Sequence, residues 1–476
     1  MASSIWWIRR DLRLNDNLAL MSALEASEGH VIPLFILDPS LQISWEARRF
    51  VFLVKALHHL DQELRRHGSR LIVRQGNPIS VLSQLMSEIP VASIFAEADY
   101  SPYAIKRDEE IKRVLPLQPL GGVTLRDPDL VVKPDGSPYT VFTPYSRTWR
   151  ALPLDLLSPI KLTLPPQWKP VPLQLDSLAL PNAFELPFFL PTETEGMTRL
   201  EHFINNKMDA YARDRDRMDL DATSNLSPYF RFGLISARQA VRGVILHCNG
   251  WPEAPEQAGA ATWLNELIWR EFFNTILYHF PTVLKEAFRP DLRHIIWRES
   301  AADLQAWQSG LSGYPVVDAA MRQLQEMGWM HNRARMITAS FLVKDLLINW
   351  QEGERWFMRQ LLDGDPAANN GGWQWTAGVG TDAAPYFRVF NPVLQGQKFD
   401  PLGAYVRRWV PELAAVPDKY IHQPWLMPEA MQRDLHCRLG SDYPERVAQH
   451  EQARQRTLAA YKAAMQAANS FNPAAE

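Results

Sequence analysis

The first 115 residues alternate short apolar runs with longer amphipathic stretches. The runs SIWWI (4–8), HVIPLFIL (30–37), RLIVR (70–74) and VASIFA (91–96) have the length and apolar content of buried strands. Between them, Asn17 to Ala26, Ala47 to Arg66, Pro78 to Glu88 and Ser101 to Val114 carry helical spacing. Strands alternating with helices predict an α/β domain with a doubly wound parallel sheet. The first strand is followed by RRDLRLNDN and not by G-x-G-x-x-G, which excludes a classical dinucleotide-binding half.

Residues 151–196 hold nine prolines among many leucines. Proline at that density forbids long helices and central strands, so the segment is expected to be a connector lying against a surface. From about residue 197 the spacing turns helical, most clearly in WLNELIWREFFNTILYHF and AAMRQLQEMGWMHNRARMITASFLVKDLLINW. The expected organisation is an α/β domain over 1–130, a connector over 131–196 and an all-α domain over 197–476. AYKAAMQAANSFNPAAE reads as a last helix with a short frayed tail.

Composition changes this picture little. With 46% hydrophobic and 22% charged residues, the chain has an ordinary globular balance. Its two cysteines, Cys248 and Cys437, exclude a disulfide framework or a thiolate metal site, and suggest a reducing compartment. The N-terminus turns charged too early for a signal peptide, and no apolar run reaches a membrane span, so a cytoplasmic protein is expected. Net charge is −3, with 21 Lys+Arg against 22 Asp+Glu over 1–200 and 29 against 31 over 201–476. A polyanion site must therefore be a local patch. Of those 29 cations 23 are Arg, the type suited to bidentate phosphate contact, although surface pairing as in RDRDRMDLD explains arginine equally well. Tryptophan is the outlier: 12 of 17 lie between Trp251 and Trp425. A helical core accounts for most of them; the rest suit stacking of flat ligands or electron transfer between rings.

Three constellations mix chemistry with these aromatics. Trp263, Glu266, Trp269, Arg270 and Phe273 fall at three- and four-residue intervals, on one helix face by spacing. An i,i+4 pair of Glu266 and Arg270 at the edge of an apolar stripe is the plain alternative. Asn332, Arg333 and Met336 share a second face, and Asp363 and Asp365 flank Gly364 before Pro366 and an expected NNGG turn. Those carboxylates suit a heterocycle N–H or a ribose; no His or Cys at metal spacing supports a metal site. Thr223 to Ser227, TSNLS, suits a phosphate cradle or, more simply, a helix cap.

WLNELIWREFF, GYPVVDAAMRQL, GWMHNRARMITASFLVKDLL, DGDPAANNGGWQWTAGVGTDAAPYFRVFNP and RRDLRLNDN together resemble the photolyase/cryptochrome family, from the first strand to about Glu412. Within it the chain most resembles class I cyclobutane pyrimidine dimer photolyases. The resemblance implies an antenna-binding α/β domain and a helical domain holding FAD. It also implies light-driven repair of damaged DNA: excited, reduced FAD passes an electron to a flipped-out dimer, the cyclobutane ring splits, and the electron returns.

Matched residue by residue, the resemblance gives FAD the contacts Tyr211, Thr223, Ser224, Asn225, Leu226, Ser227, Trp263, Arg335, Asp363, Gly364, Asp365 and Asn369. Asn369 is expected beside the flavin N5, with Gly371 and Gly372 allowing close backbone approach. Trp373, Trp350 and Trp297 are implied as an electron path from flavin to surface. Glu266, Trp269, Asn332, Arg333, Met336 and Trp375 are implied around the dimer, with Arg270 and Gln395 nearer the DNA backbone. For the second chromophore, Tyr103 and Ala104 stand where folate-type members carry Asn-Glu. LFILDP, RRF and EADYSPY resemble deazaflavin-binding members, which implies a deazaflavin over a reduced folate, lined by Arg10, Phe35, Asp38, Arg49 and Asp99. Asn369 is the residue type of repair enzymes and not of cryptochrome sensors, and Asn332 and Met336 disfavour a (6-4) photolyase. No nicotinamide fingerprint supports a dark flavin oxidoreductase, and no long signalling tail is expected. The expected partner is UV-damaged DNA, bound by a monomer away from any membrane.

Overall fold

A computed structural model of the chain describes residues 2–41, 47–153, 168–172, 174–182, 184 and 186–471. Much of the proline-rich stretch, 154–167 in particular, lies outside the described residues.

The predicted alternation produces strands β1 (Ser3–Ile8), β2 (Val31–Leu37), β3 (Ile72–Gln75), β4 (Val91–Ala96) and β5 (Leu117–Pro119). Helices α1 (Leu18–Ala26), α2 (Arg48–Arg66), α3 (Pro78–Glu88) and α4 (Pro102–Lys112) join them. Asn17, Asn77 and Ser101 cap α1, α3 and α4 through their side chains, which is why these helices begin where the sequence places them. All pairings are parallel, in the order β3-β2-β1-β4-β5. The doubly wound sheet is as expected, and it has a fifth strand that three residues of sequence did not betray. Its core joins Ile5, Trp7, Ile32, Leu34, Ile72 and Ile94 to Leu82 and Leu85 of α3. Each such buried side chain contributes about 1.5–3 kcal/mol over leaving it exposed.

The remainder is helical: α5 (Phe142–Ala151), α6 (Glu193–Asn206), α7 (Tyr211–Asp214), α8 (Ser227–Phe232), α9 (Ala237–Cys248) and α10 (Ala258–His279). There follow α11 (Ala301–Ser309), α12 (Pro315–Met327), α13 (Asn332–Ser340), α14 (Trp350–Gln360), α15 (Pro366–Ala377), α16 (Pro392–Phe399), α17 (Ala404–Trp409), α18 (Glu429–Asp434) and α19 (His450–Phe471). The long helical stretch before Trp350 is broken twice. Gly328, with φ 65°, ends α12 in the left-handed conformation, and after a π-helical turn over Phe341–Asp345 the chain turns at Leu347, with φ 54°. No helix among the described residues is long and apolar enough to cross a membrane.

Two compact units divide the chain, 1–212 with 223–281, and 213–222 with 282–476. The expected division by fold type at residue 197 is therefore not the division by compactness. Helix α10 is tied to the segment after the sheet: Glu271, buried within it, accepts from the backbone N–H groups of Leu125 (2.5 Å) and Arg126 (3.4 Å) and from Trp149 Nε1 (2.5 Å). Burial pushes the Glu271 carboxyl upward in pKa, and these donors oppose that shift.

Candidate functional site

In the first unit the expected residues gather on α7, α8 and α10. Trp263 is buried against Phe203 of α6, ring centroids 4.8 Å apart. Tyr211 meets the same phenylalanine edge-on at 5.4 Å. Trp269, six residues beyond Trp263, packs elsewhere: its ring lies parallel to Phe142 of α5 at 3.8 Å, with 3° between planes. The two indoles thus pack on different phenylalanines, Phe203 and Phe142. Arg270 reaches the carbonyl of Val123 at 2.5 Å and lies 5.6 Å from the Phe230 ring centroid. Glu266 is half-buried on the same helix. In the turn before α8, Thr223 Oγ1 donates to Asn225 Oδ1 at 3.1 Å, and Asn225 takes φ 53°. The cap position of α8 is Leu226, with no side-chain cap bond, so the simple hydroxyl-cap reading of TSNLS does not hold.

In the second unit the expected residues lie on α13 to α16. Arg335 donates to the Met330 carbonyl (2.9 Å) and to Asp363 Oδ2 (2.7 Å). Asp365 caps α15, accepting from Ala367 and Ala368 N–H at 3.0 and 3.1 Å, with Pro366 at the first turn. The NNGG stretch is thus helix and not the expected turn. Gly372 faces open space, where an added Cβ would meet nothing within 4 Å. Asn369 donates from Nδ2 to the Glu354 carbonyl (3.1 Å) and to Glu354 Oε1 (2.8 Å), leaving its own carbonyl oxygen oriented by that carboxylate. Burial raises the Glu354 pKa, against the stabilising bond from Asn369.

The three expected path residues all belong to this unit. Trp373 is buried, edge-on to Phe357 at 5.0 Å and to Trp307 at 6.1 Å. Gly353 makes room for it, since a Cβ there would stand 2.1 Å from Trp373 Cη2. Trp350 is buried at the start of α14, and half-buried Trp297 meets Tyr461 edge-on at 6.2 Å. Of the expected dimer residues, Asn332 is exposed at the start of α13, while Arg333, Met336 and Trp375 are half-buried. Gln395 lies half-buried on α16.

At the sheet, the chain reverses its winding between β1 and β4, where ligands of doubly wound sheets are bound beyond the strand ends. Arg10 and Asp99 follow those strands and stand 3.7 Å apart as an ion pair. Burial is the largest single influence on Asp99 and pushes its pKa up, but Arg10, the Ser101 N–H, Arg9 and Arg107 together outweigh it, so its pKa falls below the usual value. Phe35 is buried at the end of β2, Asp38 accepts from the Tyr103 hydroxyl, and Arg49 is half-buried on α2.

Residues 4–166 match the family described as DNA photolyase, and residues 263–463 the FAD binding domain of DNA photolyase. The deoxyribodipyrimidine photo-lyase of Escherichia coli (strain K12) is 39% identical over 482 residues, spanning 98% of this chain and 99% of its own. The chain belongs to the photolyase/cryptochrome family. Among solved structures, a bacterial class III photolyase from Agrobacterium tumefaciens superposes with TM-score 0.88 and 35% identity, over 98% of each chain. The likeness of this photolyase-family chain thus extends beyond the class I members it was expected to resemble. A cryptochrome from Synechocystis sp. PCC6803 follows at TM-score 0.84 and 28% identity, over 96% of this chain and 99% of that one.

The donor set fits FAD. Among the described residues Asp363 Oδ1 is buried without a hydrogen-bond partner, while Oδ2 is held by Arg335. A buried acceptor in that state suits a ring N–H or a hydroxyl. Among the described residues, no cluster of His, Cys, Asp or Glu could hold a metal ion. Sequence reasoning missed Glu354, Phe142, Trp307 and Glu271: Glu354 meets Asn369 with a sequence separation of 15, and the others meet their partners much farther along the chain. Only the Asp365-Pro366 pair, a helix-start signature, carried a local signal that α15 begins there.

Proposed function

We propose that the protein is a deoxyribodipyrimidine photolyase, a carbon-carbon lyase that splits cyclobutane pyrimidine dimers in UV-damaged DNA in a light-driven reaction. What supports this reading most is the near-complete span shared with relatives of that name, combined with a full set of expected dimer and flavin residues. When bound, FAD supplies the chemistry of a photo-excited electron donor to the dimer and acceptor of the returning electron.

The chain's own residues bind, orient and shield. Tyr211, residues 223–227, Trp263, Arg335, Asp363, Gly364, Asp365 and Asn369 are the proposed flavin contacts. The backbone N–H groups at the start of α8 suit a pyrophosphate. Asn369, fixed by Glu354, presents its amide oxygen toward the ring. Trp269, backed flat by Phe142, and Trp375 offer apolar faces to a flipped-out dimer, whose carbonyls take donors from Asn332 and from Glu266 in its protonated form. Met336 completes the apolar lining beside Arg333, whose cation also gives damage binding its salt dependence; Arg270 and Gln395 serve the DNA backbone. Trp373, Trp350 and Trp297 carry electrons inward to restore reduced flavin. The antenna site is assigned to Arg10, Phe35, Asp38, Arg49 and Asp99 and to a deazaflavin. The functional division stays 1–130, 131–196 and 197–476, in a monomeric, cytoplasmic enzyme.

The test is repair of an oligonucleotide carrying one cyclobutane thymine dimer by pre-reduced, FAD-loaded protein. Repair in blue light and none in the dark is expected. No repair by protein that holds FAD would overturn the assignment and favour a cryptochrome-type sensor.

A further inference from the structure

The segment 213–222 packs within the second unit, and the carboxylate of Asp216 sits against two arginines. Arg333 Nη2 lies 2.6 Å from Asp216 Oδ2, and Arg215 Nε lies 3.9 Å from Oδ1. This is not a loose surface pair on mobile side chains. The Arg333 guanidinium lies over the Phe399 ring, 4.4 Å from its centroid, which fixes its plane. Two residues after Asp216, Met218 N–H donates to the Phe399 carbonyl at 2.9 Å, which fixes the carboxylate's segment to the same point. The side chains remain open to solvent, Arg333 to 15% and Asp216 to 32%, so a phosphate can reach them.

From this geometry we propose that Asp216 is an internal counter-ion that competes with DNA phosphate for Arg333 and so weakens binding to the DNA backbone. The inference rests on the assignment of Arg333 to DNA. A guanidinium that meets phosphate releases the cations condensed on DNA, and this sequence-independent gain dominates non-specific affinity. Here the gain is offset in advance: Arg333 must leave Asp216, and the freed carboxylate recruits a cation from solution. A repair protein that searches long stretches of undamaged DNA benefits from such a brake, because it shortens each unproductive stay. The flipped dimer adds its own contacts at a lesion, so productive binding survives the loss.

The experiment uses full-length, FAD-loaded protein and fluorescence anisotropy. The probes are an undamaged duplex and the same duplex with one thymine dimer, over a series of salt concentrations. Asp216→Asn is expected to tighten binding to undamaged DNA by about two- to fivefold, the range of a partly exposed ion pair. The plot of log affinity against log salt should steepen by about 0.9, the increment for one phosphate on duplex DNA. Asp216→Glu should retain wild-type behaviour. Asp214→Asn removes the same charge from a pair with Arg213 and should give no gain. An unchanged or weakened affinity in Asp216→Asn would overturn the proposal, since the carboxylate would then merely orient Arg333. An equal gain in Asp214→Asn would also overturn it, as an effect of net charge. Arg333→Ala separates the two layers. Weaker binding in that variant with no gain in Asp216→Asn sinks only the counter-ion; unchanged binding sinks the assignment of Arg333 as well.

Discussion

Helices α10 and α15 both bring tryptophans and polar side chains to the proposed chemistry, yet they are held by different parts of the chain. Helix α10 is positioned from a distance. Val123, Leu125, Arg126, Phe142 and Trp149, more than a hundred residues upstream, receive Arg270, Glu271 and Trp269. Helix α15 is held within the second unit: Asp365 caps it, Glu354 fixes Asn369, Gly353 leaves space for Trp373, and Asn370 and Gln374 donate to the Val283 carbonyl at 3.0 and 2.9 Å. The helix assigned to recognising damage is thus held by the segment after the sheet, while the one assigned to the flavin and the electron path is held by residues of the second unit. Faults in residues 123–149 should damage recognition and leave the path intact.

The sharpest break between the two is Trp350→Phe. It should abolish photoreduction of oxidised flavin, followed by absorbance under blue light; normal photoreduction would remove Trp350 from the path. Next, Glu266→Ala should lower repair per absorbed photon by up to about tenfold, the upper end of the worth of one neutral hydrogen bond, with FAD content unchanged. An unaltered yield would end the role given to Glu266.

Three stability predictions follow in descending size. Glu271→Ala leaves Leu125 N–H, Arg126 N–H and Trp149 Nε1 without their acceptor and should cost about 3 kcal/mol. Denaturant unfolding checks this, and damaged-DNA affinity should fall while photoreduction does not. His331, whose Nδ1 accepts from Arg333 N–H at the start of α13, is held down to a pKa of about 4 by burial. The unfolded chain binds its proton near pH 6.5, so this stabilisation is complete above that pH and is lost as pH falls toward 4. The change is up to about 3 kcal/mol, and His331→Gln should flatten that part of the stability profile. A profile identical to wild type would contradict the buried neutral imidazole. Smallest is Asp365→Ala, about 1 kcal/mol for one lost helix cap, checked by thermal unfolding.

The same contrast explains what the sequence disclosed. Strands β1 to β4 and helices α1 to α4 were legible because apolar period and caps such as Asn77 and Ser101 agree locally. Helix α10 was legible as a helix, but its partners were not, because nothing near Glu271 reveals that three donors arrive from 125–149. Helix α15 was misread as a turn because two glycines cost about 1 kcal/mol each against alanine in a helix. The Asp365 cap, Pro366 and the burial of Trp373 outweigh that cost.

The central claim is that damage recognition and flavin reduction reside on separately built helices. Repair per absorbed photon by pre-reduced Trp350→Phe and Glu266→Ala, measured side by side on one thymine-dimer substrate, tests it most directly. The account predicts a wild-type yield for Trp350→Phe and a depressed yield for Glu266→Ala. Equal loss in both variants, or no loss in either, would contradict it.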